Sequence, residues 1–270
     1  MSRRLYRAAG RAKTRGVGSK GRVVTIQMAV LLLGAACAGF VQGVSGFAFG
    51  LVAMAFWSWV VEPSVAGPLV VFCSIIGQGM GMRTLRLSAV PKAIPFILGG
   101  LVGVPLGVLL LPLVDPRLFQ AGLGLLLLLW CPAMLLAARL PRIGHGGRLA
   151  DGVAGGLGGV MGGLGGLPGP IPTLWCVLRG WDRHTQRSVF QLVFLTMHVT
   201  TMTGYLLTST ITAEVAWMFP VMAPVVIAAA LLGAAAYQRL GDIGFQRIVL
   251  GLLAASGVML LGASLPKLLG

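Results

Sequence analysis

Between Arg22 and Arg83 the chain carries one charged side chain, Glu62. A helical membrane span needs about 20 apolar residues to cross about 30 Å of hydrocarbon, so this stretch is long enough to do so more than once. The pattern continues through Val65 to Met82, Val90 to Leu111, Leu118 to Ala138, Gly152 to Cys176, Ser188 to Leu207, Val215 to Tyr237 and Ile248 to Leu265. With Val23 to Val61 these make eight apolar units. Composition agrees: 57% of the residues are hydrophobic, 10% are charged and mean hydropathy is +0.92, where a soluble domain is about a quarter charged. A water-soluble globule and a disordered chain are both excluded. The expected fold is all-α and polytopic, with about eight transmembrane segments.

The net charge of +15 does not point to nucleic acid, because its distribution is that of a membrane protein fixing its orientation. Eight of the 21 basic residues lie in the first 22 positions with no acid among them, and Tyr6 is the one aromatic there. No base-stacking platform is built that way. Residues 1–22 read as a basic cytoplasmic tail, since cytoplasmic loops hold the excess of Lys and Arg. Arg83, Arg86 and Lys92 share one loop, Arg139, Arg142 and Arg148 another, and Arg239 and Arg247 a third; Glu62, Asp115 and Glu214 mark turns without basic excess. The first half then reads as four crossings that return to the cytoplasm. In the second half Arg179, Arg183 and Arg187 also favour the inside, which four simple crossings forbid. Either the 152–176 unit is a re-entrant hairpin or one of these arginines is held within the protein.

The basic start followed by an apolar run resembles a signal peptide, but Gly34 precedes Ala35-Ala36-Cys37 where a lipoprotein box wants a large aliphatic residue. The first apolar run is expected to be retained. Cys37, Cys73, Cys131 and Cys176 lie apart in apolar runs, and with three histidines there is no zinc spacing. No metal and no cofactor is expected.

The two halves resemble each other. At an offset of 119, Gly39, Gly43, Gly46 and Gly50 fall on Gly158, Gly162, Gly165 and Gly169, and Phe-Gln opens the last unit of each half at 119–120 and 245–246. The expected organisation is a tail over 1–22, a first transmembrane repeat over 23–138, a cytoplasmic linker over 139–151 and a second repeat over 152–266. The first segment of each repeat is Gly-broken or re-entrant.

Those broken units carry the first candidate site. Glycine costs a helix up to about 1 kcal/mol and proline about 3, and Leu-Pro-Gly-Pro-Ile-Pro over 167–172 cannot continue a straight helix. Unwound backbone is tolerated at membrane depth only within protein or beside a watery cavity. N–H groups opening the resumed half-helix make a site for an anion. The expected donors are the backbone at Gly43, Gly46, Gly162, Gly165 and Gly169, with the side chains of Gln42 and Ser45. Close helix packing competes with this reading, and it is preferred for Gly99, Gly103 and Gly107. The second candidate is a stripe on one helix, Arg187, Gln191 and His198, able to line the path of an anion. Its competing reading has Arg187 reaching to headgroups and His198 bonding to a neighbouring helix.

The stretch Gly-Phe-Val-Gln-Gly-Val-Ser-Gly-Phe-Ala-Phe-Gly-Leu-Val (39–52), Gly-Gly-Leu-Gly-Gly-Leu-Pro-Gly-Pro (162–170) and the Arg-initiated span after Trp181 resemble the TauE/SafE permeases, the sulfite exporter family. The resemblance covers nearly everything after the tail. It implies a duplicated transporter of a bacterial inner membrane that handles sulfite, sulfonates or related organosulfur anions. Family members more often carry Gly-Ile-Gly-Gly-Pro where this chain has Gly-Leu-Pro-Gly-Pro. The expected function is a secondary permease for a small anion, with the substrate and the lipid bilayer as partners, no nucleic acid, and homo-oligomerisation left open. The alternative is a membrane scaffold or accessory subunit. An enzyme is not expected: the six acids read as lying in turns, and no nucleophile has a basic partner.

Overall fold

The computed structural model describes residues 26–137, 142–143, 147–237 and 242–269; the tail, Arg139 and Arg239 lie outside them. No strand occurs among the described residues. The helices are α1 (Ile26–Ser45), α2 (Phe49–Trp57), α3 (Pro63–Gly81), α4 (Val90–Leu110), α5 (Pro116–Ala137), α6 (Gly147–Gly165), α7 (Pro170–Leu178), α8 (Arg183–Leu207), α9 (Ala213–Tyr237) and α10 (Asp242–Leu269). Among the described residues six helices are long and apolar enough to cross a membrane: Ile26–Ser45, Pro63–Gly81, Leu87–Leu113, Pro116–Ala137, His184–Leu207 and Ala213–Ala236. Leu98, Leu106, Leu129 and Leu232 face outward, while Gln42, Ser74, Gln78, Asp151, Gln191 and His198 are buried. An apolar exterior around a polar interior suits a lipid solvent.

α1 and α2 fold back on each other as a hairpin. The indole Nε1 of Trp57 donates to the Leu31 carbonyl at 3.0 Å, and the Gln27 amide donates to the Val60 carbonyl at 3.2 Å. Both ends of the unit therefore lie at one end of the bundle. The expectation that it crosses once, as the first of four crossings, is corrected. The physical reason is the chain reversal at 46–48, where Gly46 and Ala48 both take left-handed backbone, φ +79° and +75°.

α6 and α7 form a second hairpin, entering from the opposite end. Trp175 donates to Asp151 Oδ1 at 2.7 Å, the Arg179 Nε stands 3.6 Å from the same oxygen, and a Cβ on Gly158 would lie 2.7 Å from Pro172. Gly166, with φ +69°, reverses the chain, and the prolines at 168, 170 and 172 keep the return leg from continuing α6. α6 starts at Gly147 and takes in Asp151, inside the stretch expected to be a linker.

Small residues bring the hairpins against their neighbours. A Cβ on Gly99, Gly103 or Gly107 of α4 would run into the α6 backbone at Gly152, Gly156 or Val160, and one on Gly43 of α1 would run into α9 at Ala230. The packing reading of the 99–107 series agrees with this arrangement. α5 packs on α10 and α3 on α8.

The charges separate along the bundle. One end gathers Arg83, Arg86, Lys92, Arg142, Arg148, Arg179 and Arg187. Arg86 N donates to Ser188 Oγ at 3.2 Å, and Lys92 and Arg179 lie over the Trp181 ring at 5.3 and 5.8 Å. The other end holds Glu62, Asp115, Arg117 and Glu214. α1 starts at this second end, with Gln27 bonded to the Val60 carbonyl close to Glu62. The expected cytoplasmic placement of the tail falls on residues outside those described.

Candidate substrate site

The two reversals meet inside the bundle. A Cβ on Gly50, in the first turn of α2, would lie 2.6 Å from the Gly166 carbonyl oxygen. Around this contact is a cavity of about 20 Å³ lined by residues 47–51 of the first hairpin, 166–170 of the second, Gln42, Ser74, Gln78, Phe194 and His198. That is room for about one water molecule. Both half-helices, α2 and α7, begin at its wall.

A helix leaves its first N–H groups without intrahelical partners. In α2 these belong to Phe49, Gly50 and Leu51, and no side chain caps them. In α7, Pro170 and Pro172 have no N–H, leaving Ile171 as the donor of the first turn. The polar side chains of the cavity are deeply buried: Gln42 is 3% exposed, Ser74 1%, Gln78 2% and His198 4%. Gln42 Nε2 donates to the Ser74 carbonyl at 3.3 Å, which leaves Oε1 as the unbonded acceptor of that amide. Gln42 Oε1, Ser74 Oγ, Gln78 Oε1 and His198 Nδ1 have no hydrogen-bond partner among the described residues. Four such atoms around one cavity are out of keeping with ordinary interiors, where buried polar groups are paired. The residues that carry these atoms line the cavity, and their hydrogen-bonding capacity is unfilled.

Of the residues singled out from sequence, the structure brings Gln42, Gly169 and His198 to the cavity wall. His198 Nε2 sits 3.4 Å from the Gly166 carbonyl. Gly162 faces Pro168 at the second reversal. Gly46 forms the tip of the first hairpin, and the guanidinium of Arg187 lies over it, Nε 3.3 Å from a Cβ position there. Gln191 stands one step away and donates to the Gln78 carbonyl.

Three candidates are not at the cavity. Gly43 and Gly165 are packing positions, the first against α9 and the second against Phe119, 2.8 Å from a Cβ position. Ser45 turns back on its own hairpin, its one hydroxyl hydrogen shared between the carbonyls of Val41 at 2.8 Å and Phe47 at 2.6 Å. The N–H groups of 43–46 and 162–165 close the ends of helices rather than opening them, as Gly46 N bonded to Gln42 O shows. The free donors lie on the far side of the break, at 49–51.

Sequence reasoning missed Ser74 and Gln78. Their signal was present: two polar residues four apart, on one face of an otherwise uncharged span. It also missed Asp151, which is 3% exposed within α6 rather than in a turn. α8, which carries Arg187, Gln191 and His198, is capped by Asp182, whose carboxylate accepts from His184 N at 3.1 Å and Thr185 N at 3.0 Å. The Thr185 hydroxyl and backbone hold that carboxyl below its usual range.

A helical, multi-pass membrane protein with a small cavity between two broken helices is the class that fold and site define. The sequence matches the family described as Sulfite exporter TauE/SafE over residues 31–260, and the chain belongs to that transporter family. No curated protein and no solved structure matches it.

Proposed function

We propose that the chain is a secondary permease for a small anion, sulfite, a sulfonate or a related organosulfur compound, in a bacterial cytoplasmic membrane. The observation that carries this reading is the cavity where the reversals at 46–48 and 166–169 meet, with α2 presenting unpaired N–H groups to it. A helix N-terminus in a water-poor interior attracts negative charge, and discontinuous helices near the midplane are a recurring device of secondary transporters. The sequence has no nucleotide-binding glycine loop, so an ion or substrate gradient drives transport. The cavity is closed down to about one water, so a substrate is admitted by opening on one side or the other. Arg187, over the tip of the first hairpin, adds positive charge on the side of the basic loops.

The eight units form two repeats, each a re-entrant hairpin followed by three crossings. Three crossings per repeat invert the second relative to the first, in keeping with hairpins that enter from opposite ends. The contacts support this: α1 packs on α9 as α6 packs on α4, and α2 meets α10 as α7 meets α5. By the charge rule for cytoplasmic loops, the end bearing Arg83, Arg86, Lys92 and Arg179 faces the cytoplasm.

The test is flux of labelled sulfite, sulfate and methanesulfonate in proteoliposomes made from the purified protein. Saturable flux of at least one is expected. None with any of them would favour the scaffold alternative.

A further inference from the structure

The bonding capacity of the cavity is uneven, and that unevenness selects the protonation state of the ligand. Negative charge is met at one place, the first turn of α2, where Phe49, Gly50 and Leu51 offer three N–H donors. The first turn of the facing half-helix, α7, offers Ile171 alone, because Pro170 and Pro172 carry no N–H, and the Gly169 N–H stands just before it. Among the described residues no Lys or Arg lines the cavity. A dianion there has one set of donors for two charges, and burying an unpaired charge is the most expensive arrangement available to it.

The opposite wall asks for hydrogen atoms rather than negative charge. Gln42 Oε1 and Gln78 Oε1 are acceptors without partners, and Gln42 cannot turn its amide around without setting its oxygen against the Ser74 carbonyl it now bonds. His198 points Nε2 at the Gly166 carbonyl, an acceptor that takes its hydrogen there. Ser74 Oγ can serve either way. An oxyanion stripped of all hydrogens sets its own lone pairs against these oxygens.

We propose that the site takes a hydrogen-bearing monoanion, the hydrogen form of an oxyanion such as hydrogensulfite, with its charged oxygens on the α2 N-terminus and its hydrogen on Gln42 or Gln78. Dianions and sulfonates without an O–H are rejected. This rests on the permease reading above and narrows it. A site built to bond a hydrogen discriminates strongly against an analogue that lacks it, because its own buried acceptors are then left unpaired.

The test is competition in proteoliposomes at one mildly acidic pH. Uptake of labelled sulfite is measured against hydrogenselenite (monoanion with an O–H), methanesulfonate (monoanion without one) and sulfate (dianion). Hydrogenselenite is expected to compete at least tenfold more strongly than either of the others. In Gln78→Met, which keeps the volume and removes the acceptor, the gap between hydrogenselenite and methanesulfonate should narrow at least threefold. Methanesulfonate or sulfate competing as well as hydrogenselenite in the wild-type protein overturns the protonation claim and leaves the permease standing. Absence of uptake for every anion overturns both.

Discussion

The two hairpins share an architecture and differ in how they are fastened and in what they offer the cavity. The first is closed by neutral bonds, Trp57 to the Leu31 carbonyl and Gln27 to the Val60 carbonyl. The second is closed by a buried carboxylate, Asp151, shared between the Trp175 indole and Arg179, with Arg179 and Lys92 lying on Trp181. The first presents open N–H donors; the second presents prolines. Similar backbones thus differ in what they hold: the first hairpin keeps open N–H donors at the cavity, and the second forms a stiff, charge-anchored wall.

The sharpest way to break the comparison is at the contacts that position each hairpin. A Cβ on Gly103 would enter the α6 backbone at Gly156, whereas one on Gly39 would stand 3.1 Å from the Ala229 methyl. Gly103→Leu should therefore destabilise by about 3 kcal/mol or more, as severe overpacking does, and Gly39→Ala by about 1 kcal/mol. Thermal melting in detergent reads both. Equal shifts would mean that the second hairpin does not depend on α4 for its position.

Next come the fastenings. Asp151→Asn removes the charge that Arg179 faces, leaving a partly buried guanidinium without a counterion. Breaking a fully buried pair costs about 3–5 kcal/mol; with the Arg179 side chain 18% exposed, about 2–3 kcal/mol is expected after screening. Gln27→Met forfeits one neutral bond, about 1 kcal/mol. Melting points should rank the two variants in that order, and the reverse ranking would show that the charge on the second hairpin is ornamental to its closure.

How far the sequence revealed this difference follows from what each signal encodes. Glycine and proline clusters report where backbone must break, so both interruptions were legible at 39–50 and 158–172. They do not report direction after the break, and a hairpin and a continuing helix need the same residues there. The donors were consequently sought at Gly43 and Gly165, on the near side, when they lie at 49–51. Whether a glycine serves a site or a helix contact depends on the partner opposite, such as α9 for Gly43, and no single chain states its partners. Ser74, Gln78 and Asp151 show the converse. Each is a polar residue in an apolar or Gly-rich stretch, visible in principle and passed over because the stretch as a whole read as span or linker.

The donor asymmetry can be altered directly. Replacing both Pro170 and Pro172 by Ala restores two N–H groups at the start of α7, so both half-helices then present donors. Sulfate, the dianion, should become a better competitor of sulfite uptake by about tenfold, equivalent to about 1.4 kcal/mol. Unchanged selectivity in a well-folded variant would assign discrimination to the glutamine wall instead.

The smallest effect concerns a helix start that is not left open. α8 spends its first donors on Asp182, whereas α2 and α7 have no side-chain cap. The Asp182 carboxyl is held below its usual range mainly by the Thr185 hydroxyl, then by backbone donors. A group whose value is lowered on folding adds stability above its unfolded value, and that stability fades as pH falls through the folded one. The melting point of the wild type should therefore exceed that of Asp182→Ala modestly at neutral pH, and the difference should shrink below the ordinary carboxylate range. No carboxylate caps α2 or α7, so acid should leave their donors as available as before. A difference that persists undiminished in acid would mean that the side chain caps α8 by its shape and hydrogen bonding alone, without its charge.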